Sequence, residues 1–318
     1  MIVTITMNPA IDKSTEVDKL LPEKKLRCSE LIVEAGGGGI NVSKALKKLG
    51  GESLAIFPSA GPNGRLLEET LTSLKIKFQT ISSKGNTREN MVIREKSTNA
   101  QYRFVMPGDG LSSNEMTECL RLIKECQPRP TIIVASGSLP PGIDDSFFAT
   151  LASIAREMGA KYIVDTSDAP LKLAAEEGVF LLKPNLHELS NLVGVDNLDI
   201  MDVDDAAMEV IQKGQCEVIV VSLGPAGALL VTKAGYEHIP APTVQKKTTV
   251  GAGDSTVAGM VWMMSQGKSL REIVRFGVAC GSAATMNSGT QLFNKEDALK
   301  LYDWINRHAE KYKLNLDN

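Results

Sequence analysis

Four short apolar runs constrain this chain most: Ile132-Ile133-Val134-Ala135, Tyr162-Ile163-Val164, Phe180-Leu181-Leu182 and Val218-Ile219-Val220-Val221. Each is apolar at successive positions, so none has a wet face, and helical patterns separate one run from the next. Strands of that kind predict a parallel sheet covered by helices on both sides. Every run also ends in small, polar or turn-forming residues, as in Ser136-Gly137-Ser138 and Lys183-Pro184-Asn185. Ligands of open α/β sheets gather beyond the carboxyl ends of the strands, so function is expected in these loops.

The first hundred residues read differently. Segments around 12–34 and 86–106 alternate apolar and polar residues, as in Gln101-Tyr102-Arg103-Phe104-Val105-Met106. They predict half-exposed antiparallel strands, a small sheet projecting as a lid from a single domain over 1–318. An exposed sheet needs a cover, which points to a homodimer through the lid. Between the two segments a helical pattern over 40–49 follows Gly36-Gly37-Gly38-Gly39.

The 35 Lys and Arg against 38 Asp and Glu give a formal charge of -3, so nucleic acid is not an expected partner. Five cysteines without a Cys-x-x-Cys pair and three scattered histidines exclude a disulfide framework and a histidine metal cluster. No apolar stretch approaches transmembrane length and the N-terminus lacks a basic flank, so a soluble, cytoplasmic protein is expected.

Thr249-Val250-Gly251-Ala252-Gly253-Asp254-Ser255 precedes an apolar helical pattern. Glycine amides at a helix N-terminus suit a phosphate. A carboxylate there is repelled by that phosphate, unless its task is to take a proton from an attacking hydroxyl. The alternative is an aspartate that caps the helix.

Together with Gly36-Gly37-Gly38-Gly39-Ile40-Asn41-Val42-Ser43, Asn185-Leu186-His187-Glu188 and Asn8-Pro9-Ala10-Ile11-Asp12, this turn resembles the signatures of the ribokinase-like (PfkB) carbohydrate kinases, in family order. The resemblance implies a doubly wound, mostly parallel sheet with a small antiparallel β lid, and transfer of a phosphoryl group from ATP to a sugar hydroxyl. Within the family the chain is similar to the branch acting on phosphorylated ketoses. That implies a 6-phosphofructokinase activity, with 1-phosphofructokinase and tagatose-6-phosphate kinase as alternatives. Members of those two groups usually carry a lysine where this chain has Gly38. A sensor that keeps the fold without the reaction is a rival from another class, but it would have no use for Asp254.

The resemblance implies roles for particular residues. Asp254 becomes the general base, with the amides of Gly251, Ala252 and Gly253 as the anion hole. Asp12, Gly36, Gly37 and Asn41 would hold the sugar, Arg27, Arg88 and Arg103 its phosphate, and Ser138 either the phosphate or the sugar. Lys183, Asn185, Ser222, Gly224, Gly227 and Ser282 would serve ATP, with Lys25 reaching the nucleotide of a neighbouring subunit. Glu188 would hold Mg²⁺ through water. Carbonyls of Val250, Ala284 and Gly289 mark where family members bind K⁺. Thr248 stands where many of them have an aspartate, which leaves K⁺ open.

Overall fold

The computed structural model describes residues 1–287 and 291–309. The chain begins with β1 (Ile2–Ile5), β2 (Ala10–Val17), β3 (Ile32–Gly36), α1 (Gly38–Leu49), β4 (Leu54–Ser59), α2 (Gly61–Ser73) and β5 (Lys77–Ser82). It continues through β6 (Arg88–Glu95), β7 (Gln101–Val105), α3 (Ser113–Lys124), β8 (Ile132–Ser136), α4 (Phe147–Met158), β9 (Lys161–Asp165) and α5 (Asp168–Glu177). Then follow β10 (Val179–Leu182), α6 (Leu186–Val193), α7 (Val203–Gln212), β11 (Cys216–Ser222), β12 (Ala228–Thr232) and β13 (Gly235–Ile239). Helices α8 (Ala252–Ser265), α9 (Leu270–Thr285) and α10 (Lys295–Ala309) complete it.

The main sheet runs β13-β12-β11-β10-β9-β8-β1-β4-β5. Its pairs are parallel from β5 to β11, and an antiparallel hairpin, β12-β13, closes one edge. The four apolar runs are β8 to β11, as expected. They need apolar residues at every position because they divide them between two cores. Along β8, Ile133 and Ala135 enter one core and Ile132 and Val134 the other. Among the described residues no helix is long and apolar enough to cross a membrane.

The small sheet runs β3-β2-β6-β7. Its outer pairs are antiparallel, but the central β2–β6 pair is parallel. Alternation reports which face is wet and is silent on strand direction, so the sequence expectation of antiparallel pairing holds only for the outer pairs. A second correction concerns 12–34: β2 stops at Val17 and β3 starts at Ile32. Lys25 and Arg27 therefore lie in the exposed connection rather than on a strand.

Two junctions position the site. Helix α8 packs on α1, and the carboxyl ends of β8, β9, β10 and β11 lie side by side in the main sheet.

Candidate active site

The turn before α8 forms as its glycines require. Gly251 is the N-cap residue with φ 73°, a left-handed conformation that a side chain at this position would oppose. The α8 cap uses no side chain. Asp254 lies in the first turn and its carboxylate turns away from the helix end, so the capping alternative fails. Its Oδ2 accepts from Asn41 Nδ2 at 3.0 Å and its Oδ1 from Ser136 Oγ at 3.4 Å. Burial, then the nearby Asp165 charge, pushes its pKa up to about 6, against Asn41, Lys183 and Ser136. A carboxylate tuned this way is ionised at neutral pH yet basic enough to accept a proton. First-turn amides of a helix lack intrahelical acceptors. Of the three proposed anion-hole groups, the Ala252 N–H also makes a long bond to the Thr249 carbonyl, 3.4 Å.

Lys183 follows β10 and is buried, with its Nζ 3.1 Å from the Asp165 carboxylate at the end of β9. Burial works against its charge, but Asp165, Glu188 and Asp254 more than offset this and raise its pKa. Asn185 caps α6: its Oδ1 accepts from the Glu188 N–H at 2.9 Å, and Glu188 Oε2 accepts from the Asn185 N–H at 2.8 Å. The Asn-x-x-Glu pattern is thus a capping box as well as a family signature. Burial, foremost, raises the Glu188 pKa. Asn185 bridges Ser222, and Leu223, Gly224 and Gly227 close the adjoining turn. The residues from Lys183 to Gly227 that the sequence assigned to ATP therefore converge on one stretch of the carboxyl edge. Ser282 lies apart from that stretch by sequence, in α9, where its carbonyl accepts from Thr285 Oγ1.

Asp165, Glu188, Ser136 and Asp254 line a cavity of about 230 Å³. Among the described residues no three His, Cys, Asp or Glu side chains are arranged to hold a metal ion. Asp165 and Glu188 give the cavity lining two carboxylates besides Asp254, and Mg²⁺ keeps much of its water and takes one or two carboxylates plus phosphate oxygens.

On the sugar side, Asp12 is buried and its Oδ1 accepts from Asn90 Nδ2 at 2.9 Å. Burial raises its pKa, and Asn90, Lys44 and Arg88 oppose the rise. Gly36 pairs across from Ala10, and a Cβ there would collide with the Asp12 carboxylate. Arg88 donates from Nη1 to the Met106 carbonyl at 2.7 Å and from Nη2 to the Asn8 carbonyl at 2.9 Å. With Asn8, Met106, Ser138 and Thr166 it lines an open cavity of about 660 Å³, which shares Ser138 and Thr166 with the smaller one.

The remaining predicted residues are less gathered. Arg103 is exposed on β7, between Gln101 and Val105, paired across from Val92. Gln101, on the same face as Arg103, hydrogen-bonds Thr248 next to the anion-hole turn, so that face looks toward the site. Val250 and Ala284 are buried, while Gly289 lies outside the described residues. Sequence reasoning missed Asp165, which ends an apolar run just as Lys183 follows one, and Lys44, which follows the glycine run. It also missed Asn8, Asn90 and Ser136 as side chains in their own right.

A partly buried carboxylate at a glycine-lined helix N-terminus, above the carboxyl edge of a doubly wound sheet, defines a phosphotransferase acting on a hydroxyl. The chain belongs to the pfkB family of carbohydrate kinases, whose model matches residues 1–297. It is 41% identical over 307 residues to the ATP-dependent 6-phosphofructokinase isozyme 2 of Escherichia coli (strain K12), covering 96% of this chain and 99% of that protein. A tagatose-6-phosphate kinase of Staphylococcus epidermidis is 30% identical over 311 residues, 96% of this chain and 98% of that one. Phosphofructokinase-2 from Escherichia coli in complex with fructose-6-phosphate superposes with a TM-score of 0.90 at 39% identity, over 96% of this chain and 99% of that chain. Its tetrameric inhibited form gives 0.89 at 40% identity, with the same coverage.

Proposed function

We propose that the chain is an ATP-dependent 6-phosphofructokinase, converting MgATP and fructose 6-phosphate to ADP and fructose 1,6-bisphosphate in the cytoplasm. The observation that carries the reaction is the partly buried Asp254 carboxylate, its pKa raised to about 6, held by Asn41 and Ser136. It takes the proton of the C1 hydroxyl as the oxygen attacks the γ-phosphorus in line. The amides of Gly251, Ala252 and Gly253 receive the charge that grows on the transferring group, which is where stabilisation raises rate. Lys183 faces the nucleotide phosphates, with Asn185, Ser222, Gly224, Gly227 and Ser282 around the nucleotide. Mg²⁺, bound by Glu188 through water with Asp165 beside it, would neutralise phosphate charge during transfer. K⁺ would use the Val250 and Ala284 carbonyls.

The substrate's own phosphate is assigned to Arg88, Arg103 and Ser138, with Asp12 and Asn41 at the sugar hydroxyls. The higher identity to the Escherichia coli isozyme, 41% against 30% for the tagatose-6-phosphate kinase, supports fructose 6-phosphate over its alternatives. The small sheet serves as the lid. Across it Val33, Lys13, Met91 and Phe104 are paired in one row, and Val33, Met91 and Phe104 stay exposed. A second copy covers that row in a homodimer and brings its Lys25 and Arg27 to the neighbouring site. The tetramer known for the Escherichia coli protein would then be a pair of such dimers.

Steady-state assays with fructose 6-phosphate, fructose 1-phosphate and tagatose 6-phosphate test the assignment. The highest kcat/KM is expected with fructose 6-phosphate. A higher value with either competitor would replace it with that activity, and no turnover with any of them would leave the sensor reading.

A further inference from the structure

Lys44 lies in α1, one turn after Asn41, and is only 7% exposed. Burying an ammonium costs several kcal/mol unless its hydrogen bonds are met. Its Nζ donates to the Ala35 carbonyl at the end of β3, 2.7 Å, and to Asn41 Oδ1 at 3.4 Å. The other end of the same amide, Asn41 Nδ2, donates to Asp254 Oδ2 at 3.0 Å. Three groups thus form a line: ammonium, amide, carboxylate.

We propose that Lys44 is a positioning residue for phosphoryl transfer, fixing which way the Asn41 amide points and thereby holding the Asp254 carboxylate in place. An asparagine amide has two orientations that fill the same space and exchange a donor for an acceptor. Between a cation and a carboxylate only one of them works. The flipped amide would turn its NH₂ to the Lys44 ammonium and its oxygen to the Asp254 carboxylate, so both contacts would be repulsive. Without the cation the Asp254 end alone would select the orientation, and the amide would lose its anchor on the far side. The Ala35 carbonyl fixes that anchor to the strand that enters the glycine run. Burial lowers the Lys44 pKa, while Glu34, Asp12 and Asp254 favour its charge and Lys48 opposes it.

The inference rests on Asp254 being the base, and the two can fail separately. A residue that merely joined α1 to β3 would change stability and leave turnover of the folded enzyme alone. Lys44→Met, Lys44→Arg, Asn41→Ala and the Lys44→Met/Asn41→Ala double variant are compared with the parent, at concentrations corrected for folded protein. Lys44→Met is expected to lower kcat roughly tenfold, since small misplacements of reacting groups cost that much or more. The KM for MgATP should stay within about twofold, because the nucleotide contacts are untouched. Lys44→Arg, which keeps charge and donors, should restore most of the rate. In the Asn41→Ala background the Lys44 change should add less than about twofold, the non-additivity expected of residues acting as a unit.

Unchanged kcat in Lys44→Met, or a full tenfold further loss on top of Asn41→Ala, would overturn the proposal. Should Lys44→Met not fold, Lys44→Gln takes its place in the same cycle, and either of those two results would overturn the proposal there as well. Asp254→Asn is assayed alongside. Normal turnover there removes the base itself, whereas a lost turnover there with an unaffected Lys44→Met removes only the role of Lys44.

Discussion

The corner around Asp254 and the small sheet are built in opposite ways. In the corner, Asp254, Asn41, Ser136, Lys183 and Asp165 are buried or partly buried, and each meets a partner from a distant part of the chain. On the small sheet, Arg103 is exposed, Arg27 sits in an exposed connection, and an apolar row faces outward. Arg88 is the exception, held to two backbone carbonyls. The corner is assembled from one chain and hence can be preorganised for charge transfer. In the proposed function the sheet leaves its cations and apolar residues for something still to arrive, a sugar phosphate on one face and a second copy on the other. Reaction and substrate choice are thereby separated in space.

That contrast can be broken at either end. The largest effect is expected at the corner: Asp254→Asn should lower kcat by about two to four decades, the loss typical of a general base. Calorimetry should find sugar-phosphate binding little changed in that variant, and near-normal turnover would deprive the corner of its role. Next comes Arg88→Met, which would remove the charge-assisted bonds proposed to the substrate phosphate. KM for fructose 6-phosphate should rise roughly 10- to 100-fold, with kcat changed far less. Equal losses in both parameters would mean that Arg88 belongs with the chemistry rather than the grip.

A charge in the apolar row, Phe104→Glu, should convert the proposed dimer to a monomer in sedimentation. Its KM for the sugar phosphate should then rise roughly tenfold or less as the partner's Arg27 is withdrawn, and its KM for MgATP by a similar factor as the partner's Lys25 is lost. A monomer with unchanged KM would show that one chain suffices. The smallest effect is expected for Glu188→Gln, where half-saturation by Mg²⁺ should rise several-fold, about the cost of weakening one water-mediated contact. Thermal melting of this variant should be little changed, because a glutamine there keeps the capping box with its amide oxygen accepting from the Asn185 N–H.

The sequence made the corner legible because chemistry there follows chain order. Glycines precede a helix, an aspartate stands in its first turn, and apolar runs end in Lys183, Asn185 and Ser222. What stayed hidden depends on contacts between distant segments. Asn41 meets Asp254 across 213 positions, and no local pattern records that encounter. Lys44 resembled a solvated helix lysine, because burial of its ammonium comes from β3 packing over α1. The parallel β2–β6 pair was hidden for a related reason: register and direction between segments some eighty residues apart are set by the connection, not by alternation. The edge strands β5 and β13 were also faint, being half exposed and short.

The most direct test of the corner's chemistry is the pH dependence of single-turnover phosphoryl transfer with both substrates saturating. Asp254 has its pKa raised to about 6, so it is ionised above that value and protonated below it. The rate should therefore be level above about pH 7 and fall about tenfold per pH unit below about 6, as expected for an essential base. A rate that stays flat from about pH 5 to about pH 8 would contradict the assignment of Asp254 as the base.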